Sequence, residues 1–314
     1  MMAGTLVTGG SGFVGSAVLA RLRHLGVPVL GVVRSAVPAA GCVPGPALER
    51  GGDWSGLLEG CGLVVHAAAR VHVMRDLASD PLDAYRAANV DGTLNLARQA
   101  AAAGARRFVF LSSIKVNGEE TTPGRAFAAE DLPSPQDAYA ISKAEAEAGL
   151  RALAAETGME VVIVRPPLVY GPGVKANFLS LMRALRRGVP LPLGAVVSNR
   201  RSLVALENLV DLIVTCIEHP AAANQTFLVS DGEDLSTVGL LRRLAAAMDV
   251  PARLLSVPVP LLQGVAALVG RGVMMRRLCG NLQVDMTETQ RLLGWRPPVG
   301  VDEALRRAAE GFRR

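Results

Sequence analysis

Gly4-Thr5-Leu6-Val7-Thr8-Gly9-Gly10-Ser11-Gly12-Phe13-Val14-Gly15 is the stretch that decides the fold. Gly4 to Thr8 reads as a short buried strand, and from Phe13 onward the apolar residues Phe13, Val14, Ala17, Val18, Leu22 and Leu25 recur at helical spacing. The glycines between strand and helix leave backbone amides and the helix N-terminus open to an anion such as a pyrophosphate. Gly9, Gly12 and Gly15 make the tight turn, allow close approach of phosphate and let the helix pack on the strand. Their spacing differs from the commonest dinucleotide fingerprint, and a glycine turn without a ligand is the bland alternative. The position directly after the first strand favours binding.

Outward from this loop, β-branched runs alternate with longer helical stretches. Val29 to Arg34, Leu63 to Ala67, Phe108 to Ser112 and Glu160 to Arg165 read as further strands. Asp80 with Pro81 and Asp83 marks one helix start, and Ser134 with Pro135 and Asp137 marks another before Tyr139. The alternation predicts an α/β protein, a Rossmann-type doubly wound parallel sheet with a smaller, mostly helical C-terminal substrate domain. The loop-forming cluster Pro166, Pro167, Gly171, Pro172 and Gly173 is the expected exit from the first domain, since such residues do not continue a buried strand. Ser202 to Val204, Leu206 to Glu218 and Phe227 to Val229 are expected to return to the sheet. The nucleotide-binding domain is then 1–165 plus about 202–230, and the substrate domain 166–201 plus about 231–314.

Composition narrows the function classes. The chain has 314 residues, half of them apolar and 19% charged, which excludes disulfide miniproteins and intrinsic disorder. The net charge of +5 is spread as scattered arginines, with only 2 Trp, 3 Tyr and 7 Phe to stack bases, so no nucleic acid is expected. Cys42, Cys61, Cys216 and Cys279 stand apart, as buried or idle thiols of a reducing compartment do. His24, His66, His72 and His219 lack metal-ligand spacing, so no metal is expected; His72 alone lies where it could approach a substrate. The first apolar run is short and passes into glycines, which argues against a signal peptide. Val257 to Val269 holds two prolines, Gln263 and Gly264 and falls short of the roughly 20 residues of a membrane span. It reads either as a core helix or as a membrane-touching patch, and core is taken as the expectation. A cytoplasmic protein follows.

Three further positions carry chemistry. The second strand closes with Val33-Arg34, where an acid would bind the adenosine ribose; an arginine there suits a 2′-phosphate, so NADP(H) is favoured with NAD(H) possible. In Tyr139-Ala140-Ile141-Ser142-Lys143, tyrosine and lysine four apart share one helix face. The cation is expected to lower the phenol from its ordinary pKa of about 10 and make proton transfer feasible near neutrality. Ser113 follows the strand Phe108 to Ser112, at the carboxyl edge where open parallel sheets bind ligands, and its hydroxyl can polarise a substrate oxygen.

Order and spacing of these elements resemble the extended short-chain dehydrogenase/reductase family, known also as the NAD-dependent epimerase/dehydratase family. The resemblance rests on the glycine loop, His66-Ala67-Ala68-Ala69, Asn89-Val90-Asp91-Gly92-Thr93, Ser112-Ser113 and Tyr139 with Lys143, together with Arg165-Pro166-Pro167-Leu168-Val169-Tyr170-Gly171-Pro172-Gly173 and Leu292-Leu293-Gly294-Trp295. It implies that Ser113 orients the substrate oxygen, Tyr139 is acid or base, and Lys143 lowers the tyrosine pKa and holds the nicotinamide ribose. It further implies that Gly9, Gly12, Phe13, Val14, Gly15 and Arg34 meet the cofactor, Asp53 and Trp54 border the adenine, Ala67, Ala68 and Ala69 line the cofactor, and Pro166 sits beside the nicotinamide amide. Asn177 and Arg201 match positions that contact the substrate pyrophosphate, with Arg200 the equivalent if the register slips by one. The helices from Asp80 to Ala103 and Ser134 to Thr157 resemble those that pair family dimers, which implies a homodimer.

The family's 4,6-dehydratases place an Asp-Glu pair just after the position of Ser113; here stand Ile114 and Lys115, which disfavours elimination of water. Epimerases and ketoreductases need only hydride transfer and a proton shuttle at carbon 4 of the sugar. The segments Ser112 to Gly118 and Val174 to Phe178 resemble bacterial polysaccharide-pathway 4-ketoreductases of UDP-4-keto-6-deoxy-N-acetylhexosamines. Leu168 replaces the asparagine of the galactose epimerases, and near the place of their Arg-Pro-Gly-Asp run stand Arg276 and Arg277. The expectation is NADPH-dependent reduction of a nucleotide-linked, UDP-type, 4-keto sugar in surface polysaccharide synthesis. An NAD-dependent UDP-sugar 4-epimerase is the alternative, and a non-catalytic cofactor-sensing protein of the same fold is a third reading.

Overall fold

A computed structural model describes residues 4–34, 41–71 and 80–313. His72 therefore lies outside the described residues. The strands are β1 (Gly4–Thr8), β2 (Val29–Val33), β3 (Cys42–Pro44), β4 (Cys61–His66), β5 (Arg107–Leu111), β6 (Glu160–Arg165), β7 (Leu168–Tyr170), β8 (Leu203–Ala205) and β9 (Thr226–Leu228). Seven form one sheet in the order β3-β2-β1-β4-β5-β6-β9, and every pair in it is parallel. The helices are α1 (Phe13–His24), α2 (Ser55–Leu58), α3 (Pro81–Arg86), α4 (Gly92–Ala102), α5 (Ala138–Thr157), α6 (Ala176–Arg186), α7 (Leu206–Glu218), α8 (Thr237–Met248), α9 (Val259–Leu268), α10 (Gly272–Cys279), α11 (Thr287–Leu293) and α12 (Val301–Arg313).

The sheet is covered on both faces, which is why its strands read as continuous apolar runs rather than alternating ones. Side chains still alternate in direction. Val7, Val65, Val109 and Val162 pack with Val18 and Leu22 of α1 and Leu209, Leu212 and Ile213 of α7. Leu6, Val64, Phe108, Phe110 and Ile163 pack on the other side with Leu96 and Ala100 of α4 and Ala146 and Leu150 of α5. A separate core joins Phe178 and Met182 of α6, Leu241 and Leu244 of α8, and Leu305 and Ala308 of α12. The chain after β9 contributes to both cores, because Met286, Leu293 and Trp295 pack against the sheet cluster.

Several details depart from the sequence expectation. The sequence did not mark β3; it pairs with the edge of β2 over Gly31–Cys42 to Val33–Pro44, too short to leave a hydrophobic run. The Pro-Gly cluster was expected to be loop throughout, yet Leu168 to Tyr170 forms β7 inside it. Ser202 to Val204 was expected in the main sheet; instead Leu203 to Ala205 pairs with β7 as a two-stranded ribbon. Pro166 and Pro167 lack amide donors, so the chain leaves the sheet there and makes a new ribbon beyond it. The second helix start shifts from Ser134 to Asp137, whose carboxylate accepts from Ala140 N at 2.8 Å. Asp80 caps α3 as expected, accepting from Leu82 N at 2.9 Å. The Val257–Val269 run is helical but is not a core helix, since α9 buries only Leu262 and Ala266. No helix among the described residues is long and apolar enough to cross a membrane.

Candidate active site

The strand order reverses between β1 and β4, which opens a crevice at their carboxyl ends. The glycine loop lies there. Gly9 adopts φ +72°, and a Cβ on it would stand 2.8 Å from Ala68 N. A Cβ on Gly15 would stand 2.2 Å from Gly9 O, so helix and loop touch only because both are glycine. Gly12 N donates to Gly9 O at 2.8 Å, and α1 begins at Phe13 with Gly12 as a cap that offers no side chain. The first-turn amides of α1 thus lack a built-in acceptor, which suits an anionic group.

His66 is buried at the end of β4, with Nδ1 2.7 Å from Thr8 Oγ1 and Nε2 3.0 Å from Thr93 Oγ1. Burial, then the Lys143 charge, lowers it to about 3, so it is a neutral bridge between β1, β4 and α4. Ala67 to Ala69 continue from it, and Ala68 N donates to Thr8 Oγ1 at 3.3 Å. Asn89 sits in a π-helical turn between α3 and α4; its amide binds Arg70 O at 3.1 Å and Ser142 Oγ at 3.0 Å. Such turns recur at functional sites. Here it ties the loop after β4 to the helix that carries Tyr139.

Arg34 is exposed just beyond β2. Asp53 is exposed and accepts from Ser55 N and Oγ at 3.0 and 2.7 Å, which hold its carboxylate below the usual range. Trp54 is expected, with Asp53, to border the adenine. Its ring is packed in the sheet core with Leu6, Val32 and Leu58, and its backbone N donates to Gln99 Oε1 at 2.7 Å.

Ser113 is half-buried after β5, and its Oγ accepts from Lys115 N at 3.3 Å, which leaves its hydroxyl proton to donate. Tyr139 lies in the first turn of α5 with Lys143 one turn on. The ring of Tyr85 stands edge-on to it, centroids 6.2 Å apart. Burial, then the charges of Asp137 and Tyr85, push the Tyr139 phenol upward. The expected lowering by Lys143 is not what this arrangement gives. The ammonium donates to Leu111 O at 2.8 Å and sits 4.3 Å over the Phe110 ring, and burial brings it down to about 7 against the upward pull of Glu147. Pro166 is buried at the end of β6, its carbonyl accepting from Ile114 N at 3.0 Å beside Ser113.

Behind the crevice lies a charged network. Glu147, one turn beyond Lys143, is fully buried and accepts from Arg165 Nε at 2.9 Å, Arg165 Nη2 at 2.5 Å and Ser112 Oγ at 2.5 Å. Arg165 also donates to Asn117 Oδ1 at 3.0 Å. The network joins β5, β6 and α5 directly under Ser113 and Lys143.

In front lies a cleft of about 460 Å³ lined by Glu119, Glu120, Gln136, Asp137, Val273, Arg276 and Arg277. Arg277 reaches Glu119 at 3.4 Å and Asp137 at 3.9 Å, and Lys115 pairs with Glu119 at 2.8 Å and with Asp137. Arg201 donates to Gly280 O at 3.1 Å; burial lowers its pKa, Glu120 opposes this, and Arg277 adds to it. Arg201 therefore borders this charged cleft. Asn177 does not line it; it is exposed in the first turn of α6, after Ala176 at φ 54°.

Comparison with known proteins matches residues 5–230 to the NAD dependent epimerase/dehydratase family. The chain belongs to this family. A UDP-glucose 4-epimerase of Vibrio cholerae is 48% identical over 98% of this chain and 94% of its own length. A solved short-chain dehydrogenase/reductase superfamily protein from Agrobacterium tumefaciens, with bound NAD, superposes at TM-score 0.77 and 25% identity, covering 98% of this chain and 97% of the other. MoeE5 in complex with UDP-glucuronic acid and NAD superposes at 0.78 and 25% identity, covering 99% of each chain. The family member described here is an NAD(P)-dependent oxidoreductase-type enzyme of the extended type.

The cradle fits the family's nicotinamide dinucleotide. The Gly9–Gly15 contact, the uncapped α1 terminus and the crevice at β1 and β4 are what a pyrophosphate requires. Sequence reasoning missed Glu147, Arg165 and Ser112 as a unit. The one available signal was the run Tyr139, Lys143, Glu147 at four-residue spacing on α5.

Proposed function

We propose that the protein is an NAD-dependent 4-epimerase of a UDP-hexose. The observation that carries this is the UDP-glucose 4-epimerase that is 48% identical over nearly the whole chain. The sequence alone placed NADPH-dependent ketoreduction first, on Arg34 and on the likeness of Ser112 to Gly118 and Val174 to Phe178 to 4-ketoreductase segments. An enzyme that interconverts C4 epimers reuses one cofactor instead of consuming it, so the relative favours NAD and moves the ketoreductase to second place. Arg34, exposed past β2 where a ribose-binding acid would stand, is the observation that supports that second reading.

A bound nicotinamide supplies hydride removal and return at C4 of the sugar, and carries a positive charge when oxidised. The chain's residues do the rest. Ser113 donates its hydroxyl proton to the C4 oxygen and orients it. Tyr139, held protonated at neutral pH by its surroundings, is ready as acid; as base it needs positive charge beside the phenol, which the oxidised nicotinamide would supply together with Lys143, one turn on along α5. Arg201, Arg276 and Arg277 bring guanidinium donors to the cleft, alongside Glu119, Glu120 and Asp137, and there the diphosphate of a UDP-sugar would lie. The division into 1–165 plus about 202–230 and 166–201 plus about 231–314 is part of this proposal.

The test is incubation of the purified protein, without added cofactor, with UDP-glucose or UDP-galactose, read by proton NMR. Interconversion from both sides to one equilibrium mixture is expected. Failure on both sugars, with oxidation of NADPH by a 4-keto-6-deoxy sugar nucleotide, would overturn the epimerase in favour of the reductase.

A further inference from the structure

We infer that the outward face of α9 and α10 docks on an anionic lipid bilayer surface. The face is apolar: Leu261, Val265, Leu268 and Val269 on and just after α9, and Val273 and Met274 on α10, are all exposed, Leu268 to 89%. A helix of ordinary amphipathic type would have polar residues there. α9 instead buries the narrow seam Leu262 and Ala266, with Val259 partly buried beside it, against the second core and leaves Leu261, Val265 and Leu268 outside.

Charge identifies the occupant. From Val250 to Val284 the chain contains Arg253, Arg271, Arg276 and Arg277 and no aspartate or glutamate. Arg253, Arg271 and Arg276 are exposed and form no ion pair among the described residues, whereas Arg277 is held by Glu119 and Asp137. Apolar side chains interleaved with unpaired arginines are the composition of helices that lie in a membrane interface. Near an anionic leaflet each such arginine strengthens binding about fivefold. A second copy of the chain fits less well, because a two-fold axis through this face would bring the exposed Arg271 of each copy toward the other, and neither α9 nor α10 carries a carboxylate to answer them.

The face is continuous with the substrate cleft. Val273 belongs to the apolar set and lines the cleft beside Arg276 and Arg277. Docking therefore places the cleft mouth close to the headgroup plane. The segment lies beyond residues 5–230, the part matched to the family.

The test is co-sedimentation of the full chain with vesicles of phosphatidylcholine containing about 30% phosphatidylglycerol, and with pure phosphatidylcholine vesicles. Binding to the anionic vesicles that weakens with added salt is expected. Leu268→Glu should weaken it by about tenfold or more, and Arg271→Glu should do so without touching the apolar set. Leu268 is so exposed that its replacement leaves folding and solution turnover of UDP-sugar unchanged. The wild type remaining in the supernatant at low salt would overturn the inference. So would equal binding by wild type and both variants, or a Leu268→Glu chain that loses self-association while the wild type ignores vesicles. Since the readout is binding, its failure leaves the epimerase reading untouched.

Discussion

Replacing Glu147 by Gln tests whether the buried network governs both stability and the state of Lys143. Glu147 and Arg165 expose only 1% and 2% of their side chains, and Glu147 holds Arg165 through two hydrogen bonds. The amide keeps the shape and removes the charge, leaving Arg165 uncompensated, at a cost of about 3 to 5 kcal/mol. The expected fall in Tm is about 5 to 8 °C for a chain of this size. The second effect is electrostatic. Glu147 lies one helical turn from Lys143, and charges roughly 6 Å apart at an effective dielectric near 20 interact by about 3 kcal/mol, or about two pH units. Arg165 and Arg151, both bonded to the carboxylate, remain in the variant and leave this difference in place. Lys143, now at about 7, should fall by up to about two units. The limb of the kcat profile that follows loss of the ammonium should move to lower pH by the same amount. The assays are thermal melting by circular dichroism and epimerisation rates from pH 5 to 9, a range chosen to bracket the ~7 of Lys143. A variant that melts within about 1 °C of wild type, with an unmoved limb, would refute the reasoning.

Tyr139→Phe should lower kcat by about 100- to 10,000-fold while cofactor content per chain is unchanged, since the ring stays and only the proton-carrying oxygen leaves. Gly15→Ala forces a Cβ to 2.2 Å from the Gly9 carbonyl, so the purified variant should carry far less nicotinamide dinucleotide, measured by absorbance after release, and should melt earlier. Lys143 sits at about 7 against an ordinary 10.5, so between those limits the folded chain binds fewer protons than the unfolded chain. Stability from this group therefore rises with pH across that window, and wild type should gain on Lys143→Met between pH 7 and 10.5 in denaturant titrations; a constant difference would contradict the shift.

The parts of the molecule that were legible in the sequence are those written locally. The glycine loop, the Asp80 cap and the Tyr139–Lys143 spacing each depend on a few neighbouring residues, and each lies where the local pattern put it. β3 and the β7–β8 ribbon were not legible, because three-residue strands are fixed by their partners and not by their own run. Trp54 shows the same limit from the other side: the motif named its position, but the pocket under β2 took its ring into the core. Glu147 and Arg165 are 18 residues apart on a helix and a strand, so only the packing of α5 on β6 brings them together. The α9 run looked like core because it is apolar all round, and the structure gives it a partner on one side alone.

Mass analysis of the nucleotide released when freshly purified protein is denatured tests the retained-cofactor epimerase most directly. Near-stoichiometric NAD is the predicted result. NADP, or a chain that carries no nucleotide and consumes NADPH on a 4-keto sugar nucleotide, would contradict it.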